Sequence, residues 1–160
     1  MYNIFEYDKG DIDLFKYISH SVKDTELLAE KIAAGAHGGT VIALFGGLGM
    51  GKTAFTHGFV RGRGIDADVS SPTFALVHEY PGSPSVYHFD MYRVDGWDDL
   101  YSTGFFDYID MGGILVVEWS ENIEGALPES TLRVKIERGA TDSERIITVT
   151  GEGIYENFSC

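Results

Sequence analysis

The sequence predicts a layered α/β fold with a mixed central sheet. Two wholly apolar runs, 41–45 and 114–117, are typical of buried parallel strands, because a strand covered on both faces has no polar alternation. Segments with helical spacing separate these runs, which favours helices packed against the sheet. Alternating runs at 132–137 and 145–149 indicate a C-terminal antiparallel hairpin. A chain of 160 residues, 44% of them hydrophobic, is long enough to bury one such core.

The first twenty residues are expected to form an N-terminal extension, and a single domain is expected over 21–160. Aromatic and acidic residues are scattered through this extension without a clear period, so an extra strand, an arm and a disordered tail all remain open. The domain begins with a helix, because Ser21–Asp24 has the Ser-x-x-acid form of a helix start and Leu28 and Ile32 continue an apolar stripe.

Directly after the strand 41–45, the chain has the pattern Gly-x-x-x-x-Gly-Lys-Thr, and a chain of this length matches it by chance about once in a hundred. Its residues are Gly46, Gly47, Leu48, Gly49, Met50, Gly51, Lys52 and Thr53. In this pattern the backbone N–H groups turn towards the α- and β-phosphates of a nucleotide, and the next helix directs its positive end at them. Lys52 would reach the β- and γ-phosphates, and the Thr53 hydroxyl would bind Mg²⁺. The phosphate loop 46–53 therefore predicts a site for a nucleoside triphosphate with Mg²⁺, in a P-loop NTPase-like three-layer fold.

A helix and a hairpin are expected after the phosphate loop. Apolar residues at helical spacing extend the helix to about residue 63. The runs 69–80 and 86–90 flank five residues rich in Gly, Pro and Ser, which is typical of a β-hairpin. His78 and His88 would then be cross-strand neighbours.

The segment 96–110 has apolar residues at mixed three- and four-residue steps, which predicts one or two short helices. Aromatic side chains at helical spacing usually pack inward, so those of 97–109 are expected in the core rather than on a contact surface. Two glycines then introduce the apolar strand 114–117, which ends in Glu118.

The net charge of −13 is concentrated in one part of the chain. Between residues 64 and 131 the sequence has thirteen Asp and Glu residues and only one Lys or Arg, Arg93, so this span carries a net charge of −12. Non-specific affinity for nucleic acid comes from Lys and Arg, so this surface should not hold DNA or RNA by itself. The one cysteine, Cys160, and an acidic rather than basic N-terminus are typical of a cytoplasmic, disulfide-free protein.

Two acids at strand ends are candidates for the chemistry. Glu118 follows four apolar residues, which places a carboxylate at the carboxyl end of a central strand, where it could hold Mg²⁺. Asp90 either forms a surface ion pair with Arg93 or positions or deprotonates a water opposite the γ-phosphate. In the second case Arg93 either orients Asp90 or contacts phosphate. The segment Ser71–Thr73 is either a simple turn or a switch that responds to the γ-phosphate. His88 and Asp90 resemble part of a zinc site, but no third ligand has a useful spacing.

Four motifs in order along the chain, 46–53, 71–76, 87–93 and 117–120, resemble those of the bacterial TsaE (YjeE) family. The resemblance spans about residues 21–150. It implies a small cytoplasmic ATPase that is needed to make threonylcarbamoyladenosine at position 37 of tRNA. It also implies that the protein works with the TsaB and TsaD proteins and reaches tRNA only through that complex.

The resemblance assigns roles to individual residues. It implies that the phosphate loop binds ATP or ADP and that Thr53 and Glu118 hold Mg²⁺. Lys52, Asp90 and Glu118 would be the catalytic residues, with Asp90 needed for hydrolysis. Trp119 would be a functional neighbour of the metal.

Further assignments rest on single residues. By the resemblance, Thr25 lies near the base, Thr73 belongs to a nucleotide-responsive segment and Arg145 lies near the nucleotide. Two positions depart from the family pattern: Gly47 stands where the family usually has Asp, and Ala54 where it often has a second Thr. The roles of those two side chains therefore do not carry over.

Two other classes of protein also contain such a phosphate loop. A small-molecule or nucleoside kinase would usually need several basic side chains around the transferred phosphoryl group, but Arg93 is the only one across 64–131. A nucleotide-gated binding module would bind ATP and ADP with negligible turnover and change shape between them.

Overall fold

The computed structural model describes residues 4–9, 13–72 and 76–152, so that Thr73 and Cys160 lie outside it. The strands are β1 (Ile4–Lys9), β2 (Asp13–Ser19), β3 (Val41–Phe45), β4 (Val77–Tyr80), β5 (Val86–Asp90), β6 (Ile114–Glu118), β7 (Leu132–Arg138) and β8 (Arg145–Gly151). The helices are α1 (Val22–Ala34), α2 (Lys52–Gly62), α3 (Trp97–Ser102) and α4 (Phe105–Asp110), and a 3₁₀ segment covers Ser120–Ala126. Helices α3 and α4 confirm the prediction of one or two short helices in the segment 96–110.

The strands form one mixed sheet in the order β1-β2-β8-β7-β3-β6-β5-β4. Strand β3 runs parallel to both β6 and β7, and β5 runs parallel to β6. The hairpins β4–β5 and β7–β8 are antiparallel, and His78 lies opposite His88. The mixed sheet, the parallel pair β3–β6, the C-terminal hairpin and the histidine neighbours are thereby confirmed.

The N-terminal residues extend the sheet. Of the three possibilities left open for them, the structure has strands: β1 pairs with β2, and β2 pairs with β8 over seven residue pairs. The alternating pattern of β2 buries Phe15 and Tyr17, which are 3% and 8% exposed, in the same core as α1 and α2. The periodicity of β2 is too short to identify from sequence, and its partner β8 lies more than 120 residues away.

Helices α1 and α2 pack closely together on one face of the sheet. Helix α1 begins where the Ser21 hydroxyl accepts the backbone N–H of Asp24, which confirms the predicted helix start. The two helices approach at Gly58, where an added Cβ would lie 2.2 Å from the carbonyl oxygen of Glu26. The side chain of Glu26 also contacts His57 and Arg61 of α2.

Helices α3 and α4 cover the opposite face of the sheet, beside β5 and β6. Their buried residues are Leu100 and Phe105, which pack with Phe89 and other core residues. The expectation that the aromatic residues of 97–109 lie in the core is wrong for Trp97 and Tyr101, which are 55% and 65% exposed. Each helix has only six residues, and one buried side chain per helix fills the space over the sheet.

No helix within the described ranges is both long enough and apolar enough to cross a membrane. The site described below lies at the carboxyl ends of the parallel strands β3, β5 and β6. At this edge of the sheet, the phosphate loop leads into α2 and the two predicted acids end their strands.

The close approach at Gly58 predicts that Gly58→Ala destabilises the protein. Alanine is favoured over glycine inside a helix by about 1 kcal/mol, but overpacking against the Glu26 backbone should outweigh this and lower the free energy of unfolding by about 1–3 kcal/mol. Urea denaturation measures the difference. Gly125→Ala is the matched control, because nothing lies within 4 Å of a Cβ at that position. A Gly58→Ala variant as stable as the wild type would contradict the close α1–α2 contact.

Candidate nucleotide-binding site

Glycines with positive φ shape the phosphate loop between β3 and α2. Gly46, Gly49 and Gly51 have φ values of 149°, 75° and 111°, which other residues rarely adopt. At Gly46 an added Cβ would also lie 2.7 Å from the carbonyl oxygen of Ile136 on β7. Gly51 is the N-cap of α2 and provides no side-chain acceptor for the first N–H groups of the helix. Those N–H groups are therefore suited to an anionic ligand.

Lys52 is the first residue of α2, is 7% exposed and folds back over the loop. Its Nζ donates to the carbonyl oxygens of Gly46 and Gly47 and lies 3.9 Å from the centre of the Trp119 ring. Burial lowers the pKa of Lys52, and the charges of three carboxylates oppose this effect: Glu118, Glu121 and Asp90. The ammonium group is thus held by carbonyl oxygens, an aromatic ring and nearby acids, all at the edge of the phosphate loop.

The two predicted acids lie side by side at the ends of β5 and β6. Asp90 and Glu118 are paired in the parallel register and are 9% and 2% exposed. The Ser71 hydroxyl lies within hydrogen-bond distance of both, at 2.9 Å from Oδ2 of Asp90 and 3.0 Å from Oε2 of Glu118. A hydroxyl has one hydrogen, so it can donate to only one of them at a time. Oδ1 of Asp90 accepts the backbone N–H of Tyr92, which fixes the orientation of that carboxylate.

The phosphate loop meets these acids through Thr53. Its hydroxyl donates to Oε1 of Glu118 at 3.4 Å, a long hydrogen bond between residues 65 positions apart in the chain. This brings the last residue of the predicted loop to the acid that sequence alone placed at the edge of the sheet. It is the contact on which the metal assignment depends.

Glu118 is ionised although it is buried. Burial alone would raise the pKa of its carboxyl group, but the imidazole of His88, the hydroxyl of Ser71 and the charge of Lys52 together lower that pKa below its ordinary value. The His88 ring is fully buried, and its Nε2 lies 3.5 Å from Oε2 of Glu118. Neither ring nitrogen makes a shorter hydrogen bond to any residue whose position is described. His88 therefore depends on Glu118 for its polar contact.

Loop and acids line one cleft of about 500 Å³. Its walls are formed by Leu48, Gly49, Met50, Gly51, Lys52, Thr53, Ser71, Asp90, Tyr92, Glu118 and Trp119. Most of the site residues predicted from sequence therefore line this cleft: residues 48–53 of the phosphate loop and the strand-end acids Asp90 and Glu118. Trp119 adopts a left-handed conformation, with φ 56° and ψ 42°, directly after Glu118, and this turn places its ring against Lys52.

The oxygen atoms in this cleft suit Mg²⁺. A hydroxyl and an ionised carboxylate, from Thr53 and Glu118, are hard ligands of the kind that Mg²⁺ prefers. Over the described ranges there is no group of three or more His, Cys, Asp or Glu side chains able to enclose a metal. An ion held here would therefore need further ligands from phosphate oxygens and water, as is usual for Mg²⁺ at nucleotide sites.

Arg145 and Thr25 lie in different surroundings. Arg145 begins β8, and its Nε donates to the carbonyl oxygen of Met50 at 3.1 Å, so it supports the phosphate loop directly. Thr25 is 3% exposed, and its hydroxyl lies 2.7 Å from that of Ser19. It does not line the cleft, and its predicted position near a base stays a prediction. Thr73 lies outside the described residues.

Glu121 and His88 support this site in ways that the sequence analysis did not predict. Glu121 accepts the backbone N–H of Gly46 at 3.1 Å and so ties the 3₁₀ segment to the start of the loop. His88 supports Glu118 from the neighbouring strand. No local pattern marks Glu121, whereas His88 lies two residues before Asp90 and therefore on the same face of β5.

Comparison with known proteins identifies the family to which this chain is similar. The family model described as "Threonylcarbamoyl adenosine biosynthesis protein TsaE" matches residues 19–147. A tRNA threonylcarbamoyladenosine biosynthesis protein TsaE from Bacillus subtilis (strain 168) is 41% identical over 146 residues, covering 91% of this chain and 90% of the relative. The protein of the same name from Treponema pallidum (strain Nichols) is 35% identical, covering 82% and 97%.

A solved structure is also similar to this fold. The crystal structure of Bacillus subtilis YdiB aligns with a TM-score of 0.74 at 36% sequence identity, over 94% of this chain and 93% of that one. The similarity therefore extends over most of the chain rather than a single motif. From the family match, the relatives and this shared fold together, the chain belongs to the TsaE family.

Proposed function

We propose that this protein is a Mg²⁺-dependent ATPase that acts in the formation of threonylcarbamoyladenosine on tRNA. The observation that carries the proposal is the 3.4 Å contact between the Thr53 hydroxyl of the phosphate loop and the buried, ionised Glu118. The pathway comes from the relatives, whose names describe tRNA threonylcarbamoyladenosine biosynthesis. ATP is the substrate, ADP the product and Mg²⁺ the cofactor of this proposal.

Nucleotide binding would use the backbone first. The N–H groups of the loop and of the first turn of α2 bind the phosphates, since Gly51 offers them no side-chain acceptor. Lys52 then exchanges the carbonyl oxygens of Gly46 and Gly47 for β- and γ-phosphate oxygens. Its present partners keep the ammonium group within the cleft before that exchange.

The metal would lie between the loop and the end of β6. Thr53 and Glu118 would hold it, and the chemistry that Mg²⁺ would supply there is neutralisation of negative charge on the phosphate oxygens during hydrolysis. Asp90 stays beside Glu118 but does not contact Thr53, which leaves it for a different task. Its carboxylate is oriented by the Tyr92 N–H, so it can hold and orient the attacking water.

Trp119 and Arg145 would shape the loop rather than react. The Trp119 ring covers the Lys52 ammonium group, and Arg145 holds the Met50 carbonyl oxygen. Both contacts restrict the loop to one conformation, which lowers the cost of organising the site when nucleotide binds. The departures at Gly47 and Ala54 leave these contacts intact, because neither involves those two side chains.

The partners belong to the same proposal. With a net charge of −12 between residues 64 and 131, the protein repels phosphate backbones and would meet tRNA only through other proteins. TsaB and TsaD are the expected partners, and ATP turnover would drive a conformational step in that assembly. A cytoplasmic location follows from the same proposal, since the tRNA substrate is there.

One assay separates this proposal from its rivals. Phosphate release is measured for the protein alone, with a panel of nucleosides, and with purified TsaB, TsaD and tRNA. Stimulation by the protein assembly supports an ATPase of the modification pathway. Phosphorylated nucleosides would instead identify a kinase, and tight binding without turnover under every condition would identify a nucleotide-gated binding module.

Lys52→Ala should weaken ATP binding and abolish stimulated turnover. A hydrogen bond to a charged group contributes about 1.5–3 kcal/mol, so the affinity should fall roughly 10- to 150-fold in isothermal titration calorimetry. Lys23→Ala, an exposed lysine on α1, is the matched control and should bind like the wild type. Equal affinities for the two variants would contradict the role of Lys52.

Glu118→Gln keeps the shape of the side chain but removes the charge that holds the metal. Metal stabilisation of transferring phosphate is worth several kcal/mol, so turnover should fall by at least about 100-fold. Phosphate release in the presence of TsaB, TsaD and tRNA measures this, with the exposed Glu129→Gln as control. Normal hydrolysis by Glu118→Gln would show that the metal assignment is wrong.

Ser71→Ala should raise the pKa of Glu118, because the Ser71 hydroxyl donates a hydrogen bond that stabilises the ionised carboxylate and the variant lacks it. Glu118 has a lowered pKa in the folded state, so the stability it contributes is present above the ordinary value of 4.5 and is lost as the pH falls through the lower, folded value. In the variant the folded pKa lies closer to 4.5, so this contribution to stability is smaller and its loss is complete at a higher pH. Carboxyl NMR titration and acid denaturation measure both effects, with Ser70→Ala as control; an unchanged Glu118 titration would contradict the contact.

A further inference from the structure

An exposed aromatic cluster lies on α3 and α4, away from the nucleotide cleft. The rings of Trp97 and Phe106 are nearly parallel, at 8° and 6.4 Å between centroids, and Tyr101 lies 5.1 Å from Phe106. More than half of the Trp97 and Tyr101 side chains is exposed. Tryptophan and tyrosine are enriched among the residues that dominate protein–protein affinity, so exposed rings of these two types are typical of a partner-binding surface.

Beside Trp97 is a small cavity of about 220 Å³ between the start of α3 and the 3₁₀ segment. It is lined by Gly96, Trp97, Leu100, Glu121, Asn122, Ile123, Glu124, Gly125 and Ala126. The cavity therefore combines an indole ring with two carboxylates. In the part of the chain that the structure describes, the Glu124 side chain has no ion pair and no hydrogen bond.

The chain segments that line this cavity carry only acidic charges, while Arg133 and Lys135 line the neighbouring pocket together with Glu121 and Glu124. The sequence has no lysine or arginine between residues 94 and 130, and the two short helices and their flanks carry five aspartates. Those aspartates are Asp95, Asp98, Asp99, Asp107 and Asp110. Such a surface attracts a cationic group and repels a phosphate backbone, so nucleic acid is not the expected occupant.

We propose that this cavity receives an arginine side chain from a basic surface of a partner protein. A planar guanidinium stacks on the Trp97 indole and presents several N–H donors to Glu124 and Glu121, a combination that an ammonium group does not offer. The cavity does not depend on the proposed ATPase function, but the choice of TsaB and TsaD as the source of the arginine does.

This arginine socket, defined by Trp97, Glu121 and Glu124, is connected to the phosphate loop. Glu121 lines the socket and also accepts the Gly46 N–H. An occupant of the socket would compete for the same carboxylate. Partner binding at α3 would thus alter the contact between Glu121 and Gly46, the first residue of the phosphate loop.

The first test uses a small probe in place of a partner. N-acetyl-arginine methylamide is titrated into the isotope-labelled protein, and its citrulline analogue, which has the same shape without the charge, is the control. The Trp97 indole N–H signal should shift saturably with the arginine compound and not with citrulline, and Glu124→Gln should weaken the effect, whereas Glu129→Gln should not. Equal responses to the two compounds, or none at Trp97, would overturn the proposal.

The second test uses the assembly. Binding to purified TsaB and TsaD should be weakened by about tenfold or more in Trp97→Ala, as for an interface hot spot, while ATP affinity of the isolated variant stays that of the wild type. Met111→Ala, an exposed apolar residue beyond α4, is the control. Undiminished binding by Trp97→Ala would overturn the proposed partner contact. Failure of the wild type to bind TsaB and TsaD would count against the proposed function, and the arginine titration would still decide the socket.

Discussion

The parallel pairing of β3, β5 and β6 is the constraint on which the site depends. Parallel strands present their carboxyl ends at one edge, so the register that joins Ala43 to Val117 and Asp90 to Glu118 brings the loop after β3 to both acids. The sheet is buried on both faces here, and sliding one strand by a residue would turn core side chains towards the wrong face. The 3.4 Å contact between Thr53 and Glu118 therefore follows from the packing of the core.

Contacts from distant parts of the chain hold the phosphate loop in place. Arg145 holds the middle of the loop from β8, Glu121 holds its first N–H from the 3₁₀ segment, and Trp119 covers its lysine. The buried His88 supports Glu118 from behind. These contacts organise the site around a buried carboxylate whose pKa its polar neighbours lower.

The sequence predicted the elements whose patterns are local. The phosphate loop, the helix start at Ser21, the apolar strands and the acid that ends β6 each follow from a few adjacent residues, and the structure has all of them. Contacts made across the sheet could not be predicted in this way, such as that of Glu121 with Gly46. The exposed Trp97 was misplaced because helical spacing identifies a stripe of aromatic residues but not which of them the short helix buries.

The central claim is that loop, lysine and strand-end acid form one site for ATP with Mg²⁺. The most direct measurement is a crystal structure grown with excess Mg²⁺ and a non-hydrolysable ATP analogue. We expect the phosphates to lie against the N–H groups of 46–53, Lys52 to have left the Gly46 carbonyl oxygen, and the metal to lie between Thr53 and Glu118. Nucleotide bound elsewhere, with Lys52 still on the loop carbonyl oxygens, would contradict the account.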